Sequence, residues 1–183
     1  MAEQKNFDIL HGILPGKHFY QFYKSSDDFF YVMIPFFQAG LENKEACLWL
    51  VSEKNGLDFA CATAEAMIPG FSSYVSTGQF QISSAEEWYL TNGSFDEAKA
   101  IQNVEEHLAK IQKQGFGRLR GAGDGGFVSR KDWPLVEVYE KKISLWIKAN
   151  SIVCLCAYPI LECTPSQTRG ILGCHEDVLV GKI

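Results

Sequence analysis

The chain has 183 residues, a length that suits one α/β domain, and its 46% hydrophobic and 21% charged content is that of a globular chain with a sizeable core. A net charge of −5 and the lack of any long lysine or arginine cluster argue against nucleic-acid binding by this chain alone. The N-terminal Met1-Ala-Glu-Gln-Lys-Asn lacks an apolar signal core, and no apolar run approaches the roughly 20 residues that span a bilayer, so a cytoplasmic protein with no membrane association is expected.

His18-Phe19-Tyr20-Gln21-Phe22-Tyr23 packs five ring side chains into six residues. In an extended segment, alternation puts His18, Tyr20 and Phe22 on one side. Two readings stay open: an edge strand that packs its aromatics on the core, or a pocket rim at which His18 donates a hydrogen bond. Ser25 and Asp28 then form a capping box before a helix with Phe29, Phe30, Val32, Met33, Phe36, Phe37 and Leu41 apolar. Pro35 inside it predicts a kink. Gly40-Leu41-Glu42-Asn43-Lys44 leads into Ala46-Cys47-Leu48-Trp49-Leu50-Val51, a continuous apolar run that reads as the first, buried strand of a helix-covered sheet.

Sheets of this kind bind ligands outside the carboxyl ends of their strands, and nucleotide-binding ones place a glycine-rich turn there. Here the turn is Ser52-Glu53-Lys54-Asn55-Gly56, which offers a hydroxyl, a carboxylate and one glycine. The scaffold therefore reads as ligand-binding, for a ligand other than a nucleotide, with Ser52 and Glu53 as candidate contacts.

A second helix over about 57–68 is stopped by Pro69-Gly70, and Gln79-Phe80-Gln81-Ile82-Ser83 alternates like a short strand. Ser94 and Glu97 form another capping box, and the helix behind it carries Ile101, Val104, Leu108 and Ile111 on one face and ends at Gly115. Arg118 to Asp124 reads as a strand running into the glycine-rich Gly121-Ala-Gly-Asp-Gly-Gly. That loop is no phosphate-binding motif by its spacing. It is either a turn in which Asp124 bonds its own backbone, or a mobile lid at 121–126 over a ligand. A helix near Trp133 to Ala149 puts Leu135, Tyr139, Ile143 and Trp146 on one stripe. Ser151 to Tyr158 is a strong strand, closed by Pro159. A short helix over 166–172 and a final Val178-Leu179-Val180 strand follow. Alternating helices and buried strands predict a three-layer α/β fold with a mainly parallel sheet covered on both faces.

The six cysteines are Cys47, Cys61, Cys154, Cys156, Cys163 and Cys174. A metal site of Cys154, Cys156, Cys163, Cys174 and His175 contains no C-x-x-C pair, so reduced thiols packed as small hydrophobes are expected, with no metal and no cofactor. His11 and His107 read as solvated. Glu53, Glu87, Asp124 and Glu140 are the acids nearest strand ends or helix faces, and a pair of them suits acid–base work. No G-x-S-x-G elbow or recognisable catalytic Cys/His pair accompanies them, so no enzyme is expected.

Several segments agree with one family. They are His18-Phe19-Tyr20, Pro35-Phe36-Phe37, Ala39-Gly40-Leu41, Glu45-Ala46-Cys47-Leu48-Trp49, Gly78-Gln79-Phe80, Tyr139-Glu140, Cys156-Ala157-Tyr158-Pro159 and His175-Glu176-Asp177-Val178. In this order and spacing the chain resembles the MEDS domain, the sensory domain of methanogens and methylotrophs, over about 18–181. The resemblance implies a RecA-like core without its phosphate loop. It also implies sensing of small hydrocarbon derivatives, one-carbon compounds and halomethanes among them, in prokaryotic signal transduction or transcriptional control. Family members occur beside DNA-binding or kinase modules, and no such output segment is legible here.

The expectation is thus one domain over 1–183 that binds a small, weakly polar organic ligand and signals to a partner or output domain, with a homodimer as the commonest arrangement. His18, Tyr20, Ser52, Glu53, Trp88, Asp124, Trp133, Tyr158 and His175 are its candidate contacts. Two rivals remain: an enzyme acting on a one-carbon compound with Glu53 or Asp124 as base, and an interaction module with no ligand.

Overall fold

The aromatic run at the start of the chain is a strand. A computed structural model describes residues 9–179 and builds β1 from Lys17–Tyr23. The N-terminal segment read for a signal core and Val180 of the expected last strand lie outside the described residues. In β1, alternation turns His18 to one face of the sheet, while Tyr23 and Phe19 join the core on the other. The apolar run Ala46–Val51 is therefore β2, the second strand and not the first. All six of its residues are buried. The turn after β1, where a RecA-like fold would carry its phosphate loop, is Lys24-Ser25, without glycine.

Ser25 caps α1, Ser26–Glu42, through the expected capping box with Asp28. Gly40, Leu41 and Glu42 lie inside this helix and do not form the approach to β2. Gly40 stays small because a Cβ there would meet Arg120 Cδ at 2.6 Å. After β2 come α2, Leu57–Met67, and α3, Phe71–Ser76, then β3, Phe80–Ser84. The short α4, Ala85–Tyr89, leads into a two-stranded ribbon of β4, Leu90–Thr91, and β5, Ser94–Phe95. Ser94 is thus a strand residue. The N-cap of α5, Glu97–Lys113, is Asp96, whose carboxylate accepts from the Lys99 N–H at 3.1 Å. Asp is as good a cap as Ser, so the sequence offered two starts two residues apart.

The chain continues with β6, Leu119–Asp124, a 3-10 turn at Gly125–Phe127, α6, Trp133–Ala149, β7, Ile152–Pro159, α7, Pro165–Cys174, and β8, Asp177–Val178. The buried face of α6 is Val136, Tyr139, Glu140, Ile143, Ser144 and Ile147. Leu135, expected on that stripe, is exposed.

The main sheet has the order β3-β2-β6-β7-β1-β8, and all its pairings are parallel. β1 pairs with β7 along its whole length, Lys17 opposite Val153 through Tyr23 opposite Pro159. Parallel neighbours need crossovers, and α1 to α3 pack on one face while α5 and α6 pack on the other, each over its own apolar cluster. The fold is a three-layer α/β sandwich. Among the described residues no helix is long and apolar enough to cross a membrane.

Two polar devices are built into this frame. Arg120 is fully buried in β6. Its Nε donates to Glu45 Oε2 at 2.5 Å, its guanidinium reaches the carbonyls of Leu10 and Phe36, and it lies 5.0 Å from the Phe36 ring centre. At the carboxyl ends, Asp124 ties β1, β2 and β6 together. Its Oδ1 accepts from the Tyr23 hydroxyl at 2.9 Å and the Gly126 N–H at 2.9 Å. Its Oδ2 accepts from the Ser52 N–H at 3.1 Å, the Ser52 hydroxyl at 2.5 Å and the Asn55 amide at 2.7 Å.

Candidate functional site

Asp124 and Ser52 were expected to face a ligand. Both are buried, and the Asp124 carboxylate accepts five hydrogen bonds from within the protein, although Asp124 also lines the cavity described below. The glycine-rich segment belongs to the same clamp. Gly121 to Asp124 lie in β6, and a Cβ on Gly126 would meet Ser52 Oγ at 2.7 Å while one on Gly125 would meet the Tyr158 ring at 2.5 Å. These glycines permit close packing, and the segment is no open lid. Glu53 is exposed, and its backbone N–H donates to Glu86.

The site forms beside this clamp, with Asp124 and Gly125 in its wall, between the carboxyl halves of β6 and β7 and the helix α6. A small cavity there leaves the centre of a water-sized molecule about 20 Å³ to move in, more than a single water requires. Its wall is aromatic. Tyr89 and Phe127 stack with ring centres 4.8 Å apart, and Tyr139 meets Phe95 edge-on at 5.4 Å. Tyr158 closes another side, with Trp133 behind it at 6.1 Å. Gly123 lies in the wall, where a Cβ would come 3.1 Å from the Tyr89 hydroxyl. Glu140 and Cys156 supply polar atoms.

Those two residues also belong to a buried cluster with His18 and His175, whose nitrogen, oxygen and sulfur atoms lie within 4.8 Å of one another. The fold explains the convergence. Glu140 and Ser144 are i, i+4 on the inward face of α6. Tyr20 pairs with Cys156 across β1 and β7, which sets His18 two positions along the same face. The Glu176 N–H donates to the His18 carbonyl at 2.9 Å and brings His175, at the end of α7, over β1. The two imidazole centres are 4.1 Å apart, and Tyr20 flanks His175 at 5.9 Å.

Hydrogen bonding fixes both imidazole tautomers. His175 Nδ1 is 2.7 Å from the Ile171 carbonyl, which can only accept, so Nδ1 carries the proton. The Ser144 hydroxyl donates to the Cys174 carbonyl at 3.1 Å, so it accepts from His18 Nδ1 at 3.1 Å. Both Nε2 atoms therefore present lone pairs to the cluster. His18 Nε2 is 3.2 Å from Cys156 Sγ, and both Nε2 atoms are 3.6 Å from Glu140 Oε2. Tyr158 donates to the other oxygen, Oε1, at 2.8 Å.

Burial, with help from His175 and Lys148, pushes the His18 imidazole well below its usual range. Burial raises the Glu140 carboxyl against the opposing pull of His175, Tyr158 and Cys156. The Cys154 hydrogen bond, then burial and Glu140, push the Cys156 thiol up. Each shift favours the neutral form, as desolvation without a counter-charge requires.

Of the sequence candidates, His18, Tyr20, Tyr158 and His175 thus come together, with Trp133 behind Tyr158, and Asp124 lines the cavity with Tyr158. Trp88 does not join them; it packs against His107 at 6.1 Å on the α5 side. His107, read as solvated, is 6% exposed, and burial lowers its pKa to about 4. His18 is fully buried and no rim residue. In the sequence, Glu140 reads as a possible acid, and Cys156 as a core thiol in preference to a metal set of Cys154, Cys156, Cys163, Cys174 and His175; neither is among the candidate contacts. The missed signal was a polar i, i+4 pair on the apolar stripe of a helix.

A family model described as MEDS, the methanogen/methylotroph, DcmR sensory domain, matches residues 17–176. Comparison with curated proteins gives no match.

Proposed function

The chain belongs to the MEDS family of sensory domains, and from that premise we propose that it senses a small hydrocarbon derivative, of one-carbon size, held in the aromatic cavity beside Glu140, Cys156 and Tyr158. The observation that carries this reading is the cavity itself. It lies at the carboxyl ends of β6 and β7, where sheets of this kind bind ligands. Its wall joins apolar rings to a few convergent polar groups, the composition that small-molecule recognition requires. Its size favours a methylated, hydroxylated or halogenated one-carbon compound over a nucleotide, and the missing phosphate loop agrees.

A ligand moves an output only by binding two states differently. The wall residues Tyr89 and Phe95 come from α4 and the β4–β5 ribbon, outside the main sheet, and their repacking on occupancy offers a signal to an output domain or a second copy of the chain. Signal transduction or transcriptional control is then exerted through that partner, and the whole unit acts as one sensory domain in the cytoplasm.

The test is thermal melting and tryptophan emission of ligand-free protein with methanol, methylamine, methanethiol and dichloromethane. A ligand at a hundredfold excess over its dissociation constant adds about 2.7 kcal/mol, a melting shift of roughly 5–10 °C for a domain of this size. Trp133→Phe reduces the emission change and preserves the melting shift. If no compound moves either signal, the ligand reading falls and an interaction module replaces it.

A further inference from the structure

We infer that His18, Glu140, Cys156 and His175 form a binding site for one divalent metal ion of the zinc type. The inference goes beyond the sensory reading and does not depend on any organic ligand. It also revises the expectation, drawn from cysteine spacing, that the protein binds no metal.

The first argument is a count of protons. His18 Nε2, His175 Nε2 and Glu140 Oε2 all turn lone pairs inward, because Ser144, the Ile171 carbonyl and Tyr158 occupy the opposite sides of these groups. With Glu140 ionised, only the Cys156 thiol has a proton to offer, and it faces two acceptors, His18 Nε2 at 3.2 Å and Glu140 Oε2 at 3.8 Å. A protonated Glu140 Oε2 would stand 3.6 Å from either imidazole, beyond hydrogen-bond reach. His175 Nε2 has no hydrogen-bond partner among the described residues, although it is buried. Buried acceptors facing one another without a donor are costly. A cation at their centre satisfies all of them at once.

The second argument is distance. Four ligands at the usual zinc bond lengths stand about 3.3–3.8 Å from one another in a tetrahedron. The separations here are 3.2 Å for His18 to Cys156, 3.6 Å for each histidine to Glu140, and 3.8 Å for Cys156 to Glu140. These four of the six separations match such a site, and all four ligand atoms lie within 4.8 Å of one another.

The third argument is chemistry. Two imidazoles, a thiolate and a carboxylate suit zinc and poorly suit magnesium or calcium, which take oxygen ligands. Each imidazole donates its Nδ1–H to an oxygen and the carboxylate accepts from a phenol, the outer contacts that orient ligands in metal sites. On binding, the Cys156 thiol loses its proton to solvent and the sulfur forms the metal bond. Glu140 and Cys156 border the cavity, which gives the ion a path inward.

The experiment titrates reduced, untagged, metal-free full-length chain with Zn2+ and, separately, Co2+, with no organic ligand present. We expect one ion per chain, proton release, and for cobalt a thiolate charge-transfer band with the intense visible bands of tetrahedral coordination. Cys156→Ser abolishes the charge-transfer band and Cys163→Ser keeps it. Ser144→Ala, which frees His18 Nδ1 without removing a ligand, weakens zinc binding about 10–100-fold. If Cys156→Ser does not fold, X-ray absorption of the zinc-loaded natural chain must still show two imidazoles, one oxygen and one sulfur. Folded natural chain that takes up no ion at micromolar concentration, or a charge-transfer band unchanged in Cys156→Ser, overturns the site.

Discussion

The Tyr158 hydroxyl donates a 2.8 Å hydrogen bond to Glu140 Oε1, so one ring of the aromatic cavity is tethered to the carboxylate of the histidine cluster. Whatever occupies the cavity therefore presses on a residue that also orients Glu140. Tyr158→Phe should cost about 1–2 kcal/mol in urea unfolding, the value of a buried hydrogen bond to an ionisable group. It should also weaken any ligand-induced melting shift. A variant as stable and as responsive as the natural chain would separate the cavity from the cluster.

Gly123 tests the cavity from its other wall. The side chain in Gly123→Ala would sit 3.1 Å from the Tyr89 hydroxyl, so it fills space without adding charge. The expected result is a folded protein whose stability changes by no more than about 1–3 kcal/mol, the range for modest overpacking. Its ligand-induced shift in melting should be lost. Calorimetry that finds full affinity in this variant would place the ligand elsewhere.

Arg120 and Glu45 make a prediction about folding alone. Arg120→Met leaves the Glu45 carboxylate buried without its counter-charge and should cost about 3–5 kcal/mol. Adding Glu45→Leu should recover much of that loss. Additive losses in chemical denaturation would show that the pair is not coupled.

His107 supplies a pH dependence separate from the cluster. Its folded pKa of about 4 lies below the unfolded histidine value, so the unfolded state takes up the proton first as pH falls. Stability from this residue is complete above about pH 6.5 and drains away as pH drops toward 4. The loss is at most ~3 kcal/mol. In His107→Gln the fall in melting temperature between pH 7 and pH 5 should be smaller. An unchanged pH profile would assign the acid sensitivity to other groups.

Much of the architecture was legible because it rests on local rules. The capping box at Ser25 and Asp28 and the span of α6 followed from pattern. So did the buried runs of β2 and β7. Strand alternation set His18 and Tyr20 on one side of β1, but not which side faces inward. The errors came where two local solutions compete, as with Ser94 and Asp96, or where the aromatic segment at 18–23 stayed between strand and pocket rim, so that Ala46–Val51 counted as the first strand. The site was legible only in pieces. His18 and His175 are 157 positions apart, and nothing local says that the β1–β7 pairing and the end of α7 bring them together over Glu140. Asp124 lines the cavity as its place at a strand end suggests, but the five hydrogen bonds its carboxylate accepts come from distant residues that no local pattern shows, save the Gly126 N–H. The reading of His107 as solvated failed because the residue stands at the border of the apolar face of α5, three after Val104 and four before Ile111, where Trp88 from another element meets its ring at 6.1 Å.

The most direct test of the sensory reading is crystallography of the chain soaked with dibromomethane, whose bromines scatter anomalously. The account predicts bromine peaks inside the wall formed by Tyr89, Phe127, Tyr139 and Tyr158, next to Glu140 and Cys156. Peaks confined to other surfaces, in crystals whose cavity holds only water, would contradict it.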